Sequence, residues 1–306
     1  MSDISEAVLD WALDQLTAPG RPRPTPAGAT GLREGSNPWL LRLDDGRSAV
    51  LRVGDPDDEE QRERFAVEAR SLRIAGAHGV PSPRLIAHDA TGAQAGALAL
   101  LSTVIEGSSR IPVEPVSEQL HEYGRATAAL RRVPVAALDG MARKVRPIQG
   151  VDFAGARRRQ GTNSLLTAAE EAIAARPVPD GEPGLVHGDL WLGNTLWVGA
   201  KLTGFVDWDC AGIGEPGLDV ASIRLDAALM FGDGHEKAVL AGYLAAGGRE
   251  RAKDLAYWDV VASLSTPPRM TEFVSTIQDQ GRPDLDRSTL QRRRDAFLRA
   301  ALERLG

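Results

Sequence analysis

His187-Gly-Asp189-Leu-Trp-Leu-Gly-Asn194, followed after a short apolar stretch by Asp207-Trp-Asp209, decides how this chain is read. Gly184-Leu-Val runs apolar into His187, so the motif is expected to leave a buried strand. Thr195-Leu-Trp-Val198 reads as a strand, Gly199-Ala200 as a turn, and Leu202-Thr-Gly-Phe-Val206 as the return strand. Such a hairpin is expected to bring Asp189, Asn194 and Asp207 to one end of the same small sheet. One carboxylate beside a bound hydroxyl, with an Asn and an Asp converging on a cation, is what phosphoryl transfer requires. That chemistry is mainly positioning and charge neutralisation. The chain has only three asparagines, Asn37, Asn163 and Asn194, so this spacing is hard to obtain by chance.

Composition narrows the surroundings. A chain of 306 residues can bury a large core, and two lobes are a reasonable expectation. Its 42% hydrophobic and 25% charged residues are ordinary for a globular protein. A net charge of −6 argues against nonspecific nucleic-acid or acidic-membrane partners. The longest apolar runs, such as Gly96-Ala-Leu-Ala-Leu-Leu101, are of strand length and too short to span a bilayer. No secretory pattern opens the chain, and Cys210 is its one cysteine, which fits a reducing cytoplasm.

Along the chain, Ile4, Val8, Trp11 and Ala12 share a stripe that predicts a helix over 3–17. Residues 18–26 read as a Pro-rich connector. Strands are expected near 38–43 and 47–53, joined by Asp44-Asp45-Gly46, and near 84–88 and 97–104, with a helix over 58–76. Helices are expected over 114–132, 151–175, 217–230, 234–246, 251–265 and 287–304. This pattern divides the chain into 1–106 and 107–306. Glu68 lies on the apolar face of the 58–76 helix with Phe65, Ala69 and Leu72, where a carboxylate needs a partner, and Arg52 is the obvious one. Gly31-Leu-Arg-Glu-Gly35-Ser-Asn37 is either a turn that covers phosphates with backbone N–H groups or an ordinary surface hairpin. The run Arg157-Arg-Arg159 reads as a solvated helix face.

His-x-Asp-x-x-x-x-Asn with a later Asp-x-Asp resembles the catalytic and metal loops of the aminoglycoside phosphotransferase and choline kinase family. The resemblance implies an α+β, bilobal protein-kinase-like fold. Its N-lobe would be a five-stranded antiparallel sheet with one inserted helix that binds the nucleotide, and its C-lobe would be mostly helical. It implies a transferase moving the γ-phosphate of ATP (or GTP), with Mg²⁺, to a hydroxyl of a small molecule. An antibiotic such as an aminoglycoside is favoured, which would make the chain an antibiotic-resistance enzyme. Choline, a sugar, a macrolide or an amino-acid alcohol is also allowed. Asp189 would be the catalytic base or hydroxyl-orienting group, and Asn194 and Asp207 the Mg²⁺ ligands. Asp209 would hold a second ion or cap the following turn. His187 and Asp219 would support the loop. Ser36, Asn37, Arg52, Glu68, Thr103 and Ile105 would serve the nucleotide, and Asp259 the acceptor. A nucleotide-binding pseudokinase is the rival reading, but it would be expected to lack Asp189 or Asp207. A two-metal hydrolase would need further His or carboxylate ligands. Residues 110–306 are nearly neutral, so composition shows no acidic surface for a polycationic acceptor.

Overall fold

The computed structural model describes residues 4–33, 36–115, 117–249 and 251–306, without the side chains of residues 33, 36, 252 and 253. The chain forms two compact units. The first runs to Ala77 and includes Ser82–Ile105, and the second comprises His78–Pro81 and Glu106–Gly306.

The first unit opens with α1 (Glu6–Gln15), started by Ser5, whose Oγ accepts the Val8 N–H. Its sheet has the order β1-β2-β3-β5-β4, with every neighbouring pair antiparallel. The strands are β1 (Pro26–Arg33), β2 (Ser36–Leu43), β3 (Ser48–Gly54), β4 (Leu85–Asp89) and β5 (Leu98–Thr103). Alternation along β2 and β3 sends Leu41 and Leu51 inward, where with Ala99 and Leu101 of β5 they form one core with Val8, Trp11 and Ala12 of α1. The inserted helix α2 (Glu59–Ala77) buries Phe65, Ala69 and Leu72 and packs against β4 and β5. Strand β1 escapes sequence reading because Pro26, Gly28 and Gly31 interrupt any strand pattern.

The second unit is mostly helical. It contains α3 (Ser117–Thr127), α4 (Phe153–Gln160), α5 (Ser164–Ala174), α6 (Gly217–Phe231), α7 (His235–Ala245), α8 (Ala252–Leu264), α9 (Thr271–Asp279) and α10 (Arg287–Leu305). Helix α6 packs against α3, α7, α8 and α10, and almost all of its side chains are buried. Three expectations need correction here. The single helix over 151–175 is two helices: Gly161 at φ 91° ends α4, and the Asn163 side chain caps α5 by accepting the Leu166 N–H at 2.8 Å. The motif region is two separate two-stranded sheets, because β6 (Gly184–Val186) pairs with β9 (Gly212–Gly214), whereas β7 (Thr195–Val198) pairs with β8 (Lys201–Phe205). Helix α9 was not expected at all. Arg157 is 6% exposed rather than solvated, and it binds Glu170 and the Leu264 carbonyl. No helix of the described residues is long and apolar enough to cross a membrane.

Candidate active site

The loop after β6 is held almost atom by atom. His187 is fully buried, with Nε2 at 3.0 Å from the Val206 carbonyl and its ring against Trp208 and Phe205. Burial pushes its pKa down to about 4, against the opposing pull of Asp207 and Val206, so the imidazole is neutral and Nε2 carries the proton. The His187 and Gly188 N–H groups both donate to the Asp219 carboxylate, at 2.6 and 3.0 Å. Burial raises Asp219 to about 7, and those two N–H groups act in the opposite direction. Gly188 has φ 80°, and a Cβ there would lie 2.4 Å from the Cys210 carbonyl oxygen, so only glycine fits. Its carbonyl accepts the N–H of Ile148, a β-branched residue at φ 45°. Such a backbone costs about 1–3 kcal/mol, and nothing in the sequence around Ile148 signals it.

Asp189 follows, half-buried, and Asn194 Nδ2 donates to both its carbonyl oxygen (2.9 Å) and its Oδ2 (3.1 Å). The Asn194 carbonyl in turn accepts the Val206 N–H at 2.9 Å, which ties the end of β8 to the loop. The next residue, Asp207, is half-buried with φ 66° and ψ 62°, a left-handed conformation that Asp tolerates better than most side chains. Asp209 lies in the short helical turn Trp208–Cys210 and is also half-buried. Thus Asp189, Asn194, Asp207 and Asp209 are assembled on adjoining segments of one unit, with His187 and Asp219 beneath them. The oxygen atoms these residues could offer a cation are an amide oxygen and carboxylates. No group of three or more His, Cys, Asp or Glu able to hold a metal occurs among the described residues. That set suits Mg²⁺, which binds through one or two carboxylates and takes its other ligands from phosphate and water.

Sequence reasoning missed Asp226. It lies on α6, 4% exposed, and accepts the Leu192 N–H at 2.8 Å. Burial raises it to about 7, opposed by that N–H, and the Asp189 charge adds to the rise. The available signal was an acidic residue inside an otherwise apolar helical run.

In the first unit, Arg52 Nη1 meets Glu68 Oε2 at 2.5 Å, and the guanidinium also lies over the Phe65 ring. The Asn37 amide bonds both backbone groups of Val53, at 2.7 and 2.9 Å, so this side chain clamps β2 to β3. The Ser36 side chain and the turn residues Glu34 and Gly35 lie outside the described residues. Thr103 ends β5, and its Oγ1 accepts the Arg84 N–H. Ile105 closes the segment that belongs to this unit.

Asp259, expected to serve the acceptor, is fully buried. Its carboxylate takes two hydrogen bonds from Arg224, at 3.0 and 3.1 Å, and one from Arg304 at 2.6 Å. A carboxylate closed off by two guanidiniums has no face left for an acceptor, so this expectation is corrected.

The family model described as "Phosphotransferase enzyme family" matches residues 29–262, well over half of the chain. No curated protein matches it. Among solved structures, it is similar to macrolide 2'-phosphotransferase MphH from Brachybacterium faecium, at 20% identity and TM-score 0.61, over 92% of this chain and 100% of that one. Macrolide 2'-phosphotransferase type I gives 22% identity and TM-score 0.61, over 100% and 99%. A thermostable mutant of aminoglycoside phosphotransferase APH(4)-Ia, in ternary complex with AMP-PNP and hygromycin B, gives 15% identity and TM-score 0.59, over 97% and 99%. The fold is theirs, and the chain belongs to the phosphotransferase enzyme family.

Proposed function

We propose that this family member transfers the γ-phosphate of ATP or GTP, with Mg²⁺, to a hydroxyl of a small molecule. The observation that carries the reading is the join between Asn194 and Asp189, with Asp207 held beside them through the Val206–Asn194 hydrogen bond. A carboxylate beside oxygen donors is what phosphoryl transfer needs, and this joining supports the reading. Asp189 orients the acceptor hydroxyl and takes its proton as the bond to phosphorus forms. Asn194 and Asp207 would hold Mg²⁺, with Asp209 supplying a further carboxylate, and the ion would neutralise charge on the transferring phosphate. His187, neutral and buried, donates to Val206 and so steadies the approach to Asp207. In the first unit, Arg52 supplies a cation for the α- and β-phosphates while Glu68 fixes its fork. Asn37 clamps β2 to β3 at the nucleotide side, and Thr103 and Ile105 offer backbone groups to the base.

Structurally similar chains act on macrolides or bind hygromycin B, so antibiotics of these two classes head the acceptors to test. The test is acceptor-dependent nucleotide consumption across macrolides, aminoglycosides, choline and sugars, with ATP and GTP. Consumption that requires one acceptor class and Mg²⁺ is expected. Tight nucleotide binding with no turnover on any hydroxyl would overturn the reading in favour of a regulatory pseudokinase.

A further inference from the structure

Asp219 and Asp226 are seven residues apart on α6, two helical turns, so they lie on one face. Both are buried, at 1% and 4% exposure. Each bonds the backbone of the same loop from below. Asp219 takes the N–H groups of His187 and Gly188, and Asp226 takes that of Leu192. Asp189 lies between these two anchors. Leu192 is fixed on its other side as well, because its carbonyl accepts the Thr195 hydroxyl at 2.6 Å. Leu192 also opens the short helical turn Leu192–Asn194, so its position sets that of the Asn194 amide, which bonds Asp189.

Stability gives no account of Asp226. Its one hydrogen bond among the described residues comes from a neutral backbone N–H. Desolvation of the buried carboxylate outweighs what this one bond returns. The charge of Asp226 also reaches the fully buried Tyr123 hydroxyl of α3, which has no hydrogen-bond partner among the described residues. Among the described residues no cation offsets the acid. An acidic group held at net cost beneath a reactive loop is explained by the geometry that it imposes on the loop.

We propose that Asp226 is a positioning residue for transfer: through the Leu192 N–H it sets the turn that carries Asn194, and so orients Asp189. The inference rests on Asp189 being the group that orients the acceptor. It is tested on the full chain with Asp226→Ala, Asp226→Leu and Asp226→Asn, by steady-state kinetics, melting, and hydrogen exchange of peptides covering 189–194. Both Asp226→Ala and Asp226→Leu should lower kcat by about 10- to 10²-fold, the scale of a misplaced catalytic group. Nucleotide KM should stay within about twofold, and exchange in 189–194 should accelerate. The Leu variant removes the buried charge without leaving a cavity, so it should melt at least as high as wild type and still lose kcat. Asp226→Asn keeps an oxygen for the Leu192 N–H and should recover most of the turnover. Wild-type kcat in the Ala and Leu variants overturns the proposal, as does lost turnover with unchanged exchange in the loop. If the wild-type chain phosphorylates no acceptor, the proposed function fails, and the exchange comparison still decides the positioning. Unchanged exchange in all three variants then overturns it.

Discussion

Asp259→Ala separates the sequence reading of this residue from the structural one. The carboxylate is fully buried, Arg224 beside it is 4% exposed, and Arg304 is 43% exposed. Removing the acid strands a guanidinium in the interior. Among the described residues Arg224 would keep a 3.2 Å bond to the Glu236 carbonyl and its contact with Phe297. Breaking a buried pair in this way costs about 3–5 kcal/mol. In a domain of this size that is a fall in Tm on the order of 10 °C. Arg304→Ala leaves the buried pair intact and loses an exposed partner, so it should cost about 1 kcal/mol or less. The pair Arg224→Met with Asp259→Leu should melt above Asp259→Ala, because it leaves no uncompensated charge. The assay is denaturant unfolding of the four proteins, together with nucleotide and acceptor KM at a temperature where all are folded. An Asp259→Ala protein that unfolds like wild type but shows a selective rise in acceptor KM would refute the reasoning. The carboxylate would then face substrate rather than Arg224.

Asp189→Ala should lower turnover by roughly 10²–10⁴-fold, the usual contribution of a general base, and leave nucleotide affinity within about threefold; steady-state kinetics with a binding titration measures both, and wild-type turnover would remove Asp189 from the chemistry. Asp207→Ala should weaken Mg²⁺–nucleotide binding and turnover together, and an Mg²⁺ titration identical to wild type would exclude it as a ligand. Arg52→Ala should raise nucleotide KM and destabilise the first unit, towards or below the lower end of about 3–5 kcal/mol because water reaches the 22%-exposed Arg52 side chain. In combination with Glu68→Gln the loss should fall short of the sum of the two singles, and strict additivity in a denaturant melt would mean that the pair is not coupled.

The sequence was legible where one residue type answers one local demand. Asp44-Asp45-Gly46 turns a hairpin because Gly46 takes φ 83°. Glu68 on an apolar face called for a cation, and Arg52 is there. The hairpin of β7 and β8 was visible, but its separation from β6 was not. The partner of β6 is Gly212–Gly214, three residues with two glycines and no strand pattern. Asp259 was misjudged because a lone acid on a helix says nothing about which face is buried until Arg224, on another helix, is placed beside it. Ile148 was invisible for the same reason: its N–H meets the Gly188 carbonyl, forty residues further along the chain.

Helix α6 shows why the acids of the site are hard to sort by pattern alone. It is enclosed on nearly every side, so its sequence has no polar stripe and its charged residues each need an internal reason. Asp219 and Asp226 end on backbone N–H groups of the loop that carries Asp189, whereas Arg224 ends on a side chain of α8. The two kinds of partner respond differently to loss. A backbone N–H released from its acceptor lets a short loop relax by a fraction of an ångström, which a melt barely registers and transfer registers strongly. A guanidinium stripped of its carboxylate has nowhere to go and destabilises the whole bundle. For that reason Asp226→Leu and Asp259→Ala, two changes on neighbouring helices that each delete one buried acid, are expected to fail in opposite assays: the first in kcat at full stability, the second in stability before any kinetic defect is seen.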